Sequence, residues 1–208
     1  MFSLLLRGFA LGFAIAASPG PIFFLCVRRT LTRGRLTGFF SGLGVATADG
    51  FYAFIATFGV AAVTAAFVDA RRPLAVVGGA ILVLLGARIF LERRAGASSQ
   101  PASAPTGRGL AFAYASTLGL TITNPATIVS FVALAATLGL GTGGSLVRPS
   151  LVVLGVLIGS ASWWVALVLA ASALRARLTP AVVGWIGTVS GVAIAGLGIL
   201  AVISAFSG

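Results

Sequence analysis

Runs of apolar residues separated by arginines organise this chain. Uncharged stretches cover 8–27, 73–87, 109–147, 149–174 and 178–208, and a sixth, 36–68, is interrupted only by Asp49. A helix needs about 20 apolar residues to cross the hydrocarbon core of a bilayer. The pattern therefore predicts six transmembrane helices, at about 4–26, 37–66, 74–91, 110–138, 149–173 and 181–206. The first run also has features of a secretory signal peptide, with Arg7 ahead of an apolar core that ends in small residues at 16–18. It continues past Pro19 to Val27, longer than a signal core, which favours a span.

Composition supports the membrane reading. Hydrophobic residues make up 59% of the chain and charged residues 8%, with a mean hydropathy of +1.13, whereas soluble proteins carry roughly a quarter charged residues. The net charge is +11, from 14 basic and 3 acidic residues, and every basic residue is Arg. Such a balance points to nucleic acid only where the charge clusters on a solvated face. This chain has too little polar surface to build one, so the expected partner is the lipid bilayer and not nucleic acid. The absence of His and the single Cys26 remove imidazole metal sites, Ser/His triads, internal disulfides and cysteine zinc sites. No metal or cofactor is expected.

The arginines also orient the chain. Arg28, Arg29, Arg33, Arg35, Arg88, Arg93, Arg94, Arg108, Arg175 and Arg177 fall on one side; Arg7, Arg71, Arg72 and Arg148 fall on the other. The positive-inside rule makes the first side cytoplasmic and puts both termini outside. Segment 92–108, rich in Ala, Ser, Pro and Gly, reads as a flexible cytoplasmic linker. It divides the chain into three-helix repeats at 1–91 and 109–208. An odd number of spans per half places the halves in opposite orientations. The expected fold is thus an all-α integral membrane protein of six transmembrane helices, arranged as a 3+3 inverted repeat. A bundle this small is compatible with a homodimer.

Two spans are broken in their interiors. Ser18-Pro19-Gly20-Pro21 interrupts the first and Thr123-Asn124-Pro125 the fourth. Proline removes an amide donor and displaces the carbonyl one turn back, and in hydrocarbon such freed groups need protein, water or ligand. Broken helices at this depth tend to line a cavity, although a kink that only improves packing reads the same way in sequence.

Asp49 is the only carboxylate within a span, since Asp69 and Glu92 fall in connections. Placing Asp at a helix centre costs about 2.5–3.5 kcal/mol, so such residues usually face a polar interior. On a helical wheel Gly38, Gly42, Ala53 and Ala56 share its face, while Phe40, Phe51 and Phe58 lie opposite. Two roles fit: Asp49 carries a coupling proton, or it pairs with a substrate ammonium; a hydrogen bond between helices is the structural alternative. The remaining polar residues, Thr121, Thr123, Asn124, Ser130, Ser160 and Ser162, can serve a ligand or bond their own helix backbone. Trp163 and Trp164 lie mid-span, so that one of them faces the cavity or both meet lipid. In the last span Gly187, Gly191, Ala195 and Gly198 form a small-residue packing seam.

These residues resemble the LysE family of bacterial amino-acid exporters, including its RhtB-type members. The match runs through Ala17-Ser18-Pro19-Gly20-Pro21, Arg29, Arg33-Gly34-Arg35, Gly38, Gly42, Gly44, Asp49 and Tyr52, then Gly79-Ala80, Leu85-Gly86-Ala87-Arg88 and Asn124-Pro125. The chain departs at Ala126, where the family often has Lys, and at Ile22, where it is often polar. The resemblance implies a carrier of the bacterial plasma (inner) membrane that exports amino acids or related small metabolites on an ion gradient, with protons the expected coupling ion. It places the transport site at Asp49 and the two broken helices; taken with the mid-span tryptophans, the expected substrate contacts are Ser18, Pro19, Gly20, Pro21, Tyr52, Thr123, Asn124, Pro125 and Trp163. An enzyme would need a fuller catalytic set than one acid without His. A channel, or a structural or assembly protein of the membrane, remains as the alternative to a carrier.

Overall fold

The computed structural model describes residues 1–58, 65–66, 68–94, 106–138, 146–175 and 177–206. Most of the expected linker, 95–105, and residues 59–64 of the second expected span lie outside them. The main helices are α1 (Phe2–Ala16), α2 (Pro21–Arg33), α3 (Arg35–Thr57), α4 (Arg71–Arg94), α5 (Gly107–Ile122), α6 (Pro125–Leu138), α7 (Val147–Arg175) and α8 (Pro180–Ser204).

Helix boundaries follow local chemistry. Pro21 and Pro180 stand in the first turns of α2 and α8, where a missing amide costs nothing. Thr106 and Thr179 cap α5 and α8 by accepting from the amides of Gly109 and Val182. A single residue, Gly34, joins α2 to α3 at φ +93°, a conformation that only glycine adopts without strain.

Among the described residues, four helices are long and apolar enough to cross a membrane: Arg35–Thr57, Arg71–Leu91, Val147–Arg175 and Ala181–Ser204. Helices α1 and α2 qualify as a pair bent by 79°. Helices α5 and α6, of 16 and 14 residues, are each too short to span alone. Both breaks fall where the prolines predict them.

Helix α3 forms the centre of the bundle, packed against α7, α5, α2 and α6. It is 61% buried, against 28% for α8, which explains why it tolerates the lowest hydropathy of the four spans. Gly38, Gly42, Ala53 and Asp49 are buried and Phe51 exposed, as the wheel predicts, while Ala56, Phe40 and Phe58 are half-buried.

Helix α1 lies along α7, and α4 along α8. The first pair approaches closely enough that a Cβ on Gly12 would sit 2.7 Å from Val156 Cα, and one on Gly159 2.9 Å from the Phe13 amide. The second pair meets through Gly79 and Gly86 on α4 and Gly191, Ala195 and Gly198 on α8. Gly187, expected in that seam, faces open space.

Candidate functional site

A cavity of about 140 Å³ lies where the two helix breaks meet the middle of α3. Ser18, Pro19, Gly20, Pro21, Ile22 and Phe23 line it from the first break, and Asn124, Ala126, Thr127 and Ser130 from the second. Asp49 and Val45 face it from α3, Thr121 from α5, Trp164 from α7, and Ile15 and Ala16 from α1.

Asp49 is 2% exposed. Its Oδ2 accepts a hydrogen bond from Ser160 Oγ on α7 at 2.7 Å. None of the arginines pairs with it among the described residues. The carboxyl group therefore has one neutral donor on its protein side and a cavity on the other, where an incoming proton or ammonium can reach it.

Each break presents a different helix end. Gly20 is extended (φ −144°, ψ −176°) and α2 starts at Pro21 without a side-chain cap. Ile22 and Phe23 line the cavity in that uncapped first turn, whose amides have no intrahelical acceptor. Such a terminus attracts negative charge. At the second break Asn124 Oδ1 caps α6 by accepting from the Ala126 amide at 3.2 Å. Helix α5 ends at Ile122, whose carbonyl accepts a hydrogen bond from the Tyr52 hydroxyl. Tyr52 thus satisfies an orphaned carbonyl from behind the cavity wall, with its ring stacked on Phe131.

The structure brings Asp49, Ser18, Pro19, Gly20, Pro21 and Asn124 together on the cavity. It places three expected contacts elsewhere. Thr123 turns toward α4, where a Cβ on Gly78 would lie 2.8 Å from its hydroxyl. Tyr52 supports the break without lining the cavity. Trp163 packs edge-to-face on Phe13 at 5.3 Å, and it is Trp164 that lines the cavity, because α7 turns residue 164 toward α3. Pro125 is the first residue of α6, with its side chain outside what is described.

Arg29 also departs from expectation. The charge pattern sets it with the arginines of one membrane side, whereas α2 continues unbroken to Arg33 and Arg29 is 3% exposed inside the bundle.

Ser160, Thr127 and Trp164 complete the site. Asn124, Thr127 and Ser130, three residues apart on one helix face, carry a periodic signal that sequence offers. Ser160 has no such signal, since its role depends on how α7 crosses α3. The hydroxyls of Thr121 and Ser130, both cavity-lining residues, donate to their own helix backbones, at Thr117 and Ala126.

The family model described as LysE type translocator matches residues 13–205. No curated protein and no solved structure matches the chain.

Proposed function

Because this chain belongs to the LysE type translocator family and is a multi-pass membrane transporter, we propose that it is a proton-coupled secondary exporter of amino acids or related small metabolites. It works by alternating access. Two three-helix repeats, 1–91 and 109–208, joined by the linker 92–108, rock about the cavity. The chain resides in the bacterial plasma membrane with its arginine-rich side cytoplasmic and both termini outside.

The observation that carries the reading is a single cavity in which the one intramembrane carboxylate, Asp49, faces both helix breaks. The uncapped first turn of α2 receives the substrate carboxylate, and Asp49 exchanges a proton or holds the ammonium. Trp164, Val45 and Ile22 supply the apolar wall. The pairing of helices supports the inverted repeat: α1 packs on α7 as α5 packs on α3, while α3 with α7 and α4 with α8 form pairs that the exchange of halves leaves unchanged.

Purified protein in proteoliposomes tests this reading. Labelled amino acids should move uphill, with saturating kinetics, when a pH gradient is imposed. The Asp49→Asn variant should lose the response to the gradient. Unchanged gradient-driven flux in that variant would sink the coupling role, and flux that neither saturates nor runs uphill would indicate a channel.

A further inference from the structure

Arg29 is a buried cation that the transport reading does not use. Its Nη1 donates to Ser41 Oγ on α3 at 3.0 Å and to the Ala113 carbonyl on α5 at 3.0 Å. Its Nη2 donates to Ser116 Oγ, also on α5, at 2.9 Å. One guanidinium therefore ties α2 to both α3 and α5. All three acceptors are neutral, and no carboxylate pairs with Arg29 among the described residues.

The position of this tie relative to the cavity is informative. On α3 the cavity ends at Val45, and Ser41 lies one turn, about 6 Å, nearer the helix start. On α5 it ends at Thr121, and Thr117 one turn earlier donates to the Ser41 carbonyl at 2.7 Å. On α2 it ends at Phe23, followed by Leu25 and Cys26. Leu25, Cys26, Ser41 and Thr117 are at most 1% exposed, so a closed layer separates the cavity from the arginine. The Ser18–Pro19 corner at the opposite end of α2 is exposed.

We propose that Arg29 is the latch of the gate that shuts the cavity on the side where α3 begins. Opening that side moves α2 away from α3 and α5, which breaks three hydrogen bonds held by one side chain. Neutral acceptors suit a latch that must release in every cycle: they bind a guanidinium less strongly than a bidentate carboxylate does, yet they satisfy the buried charge while the gate is shut. The latch rests on the alternating-access reading, but its test does not depend on which solute is carried.

Cys26, the only cysteine in the chain, lies in the closed layer and serves as the reporter. The experiment measures the rate at which a membrane-impermeant maleimide labels Cys26 in the full-length protein purified in detergent. Arg29→Gln should label about tenfold faster than wild type, and Ser116→Ala, which removes one acceptor, several-fold faster. Both should retain a melting temperature within a few degrees of wild type. Wild-type labelling rates in both variants would overturn the latch. So would faster labelling that merely tracks a fall in melting temperature, which would make Arg29 structural. Failure of wild type to transport amino acids would count against the substrate reading and leave the labelling result standing.

Discussion

Ser160 Oγ reaches Asp49 Oδ2 across 2.7 Å and joins α7 to α3 at the cavity wall. Both residues are buried, at 0% and 2% exposure, and among the described residues Ser160 is the side chain that hydrogen-bonds this carboxyl group. Replacing Ser160 by Ala should lower gradient-driven flux by roughly tenfold, the scale of one lost hydrogen bond to a charged group. In an Asp49→Asn background, whose remaining flux no longer follows the gradient, the same replacement should leave that remaining flux almost unchanged, since the hydroxyl acts through the carboxyl group. Flux measured over the four-member mutant cycle decides the point: additive losses would mean that Ser160 works independently of Asp49.

The two adjacent tryptophans should behave differently. Trp164 lines the cavity, whereas Trp163 meets Phe13 on α1. Replacing Trp164 by Ala removes part of the cavity wall and should raise KM for the transported solute by about tenfold or more. Trp163→Ala should leave KM within about twofold and act mainly on stability. Saturation curves for the two variants, normalised to protein inserted in the membrane, provide the check.

Much of this was legible along the chain because its signals are local. Proline in the interior of an apolar run marks a helix break, so the interruptions at Pro19–Pro21 and Pro125 are found one residue at a time. A lone acid among apolar neighbours identifies Asp49 equally directly, and its small-residue face follows from helical periodicity. The features that escaped depend on packing between distant segments. Ser160 lies 111 residues from Asp49, the choice between Trp163 and Trp164 turns on one step of helix rotation, and the burial of Arg29 depends on α3 and α5 packing against α2. Charge counting treats every arginine near a span end alike, so it could not separate a buried Arg29 from its exposed neighbour Arg33.

Tyr52 should contribute to the second helix break through its hydroxyl. Tyr52→Phe leaves the stacking on Phe131 in place but abandons the Ile122 carbonyl, the last of α5. An unsatisfied buried carbonyl costs about 1–3 kcal/mol, so the variant should melt several degrees below wild type while its KM changes little. A thermal melt of the purified protein alongside a transport assay separates the two effects. A normal melting temperature would show that another donor reaches that carbonyl.

Helix seams offer a sharper contrast, because glycines of the same chain stand in opposite surroundings. A Cβ on Gly159 would press into the α1 backbone, 2.9 Å from the Phe13 amide, whereas one on Gly187 meets nothing within 4 Å. Overpacking of this kind typically costs about 1–3 kcal/mol, so Gly159→Ala should separate α7 from α1 and lower the melting temperature markedly. Gly187→Ala gains helix propensity, worth up to about 1 kcal/mol in a helix interior, and should be neutral or mildly stabilising. Because α1 carries the cavity-lining Ile15 and Ala16, Gly159→Ala should also reduce transport, and Gly187→Ala should not. Equal melting temperatures for the two variants would contradict the close approach of α1 and α7 on which the cavity wall depends.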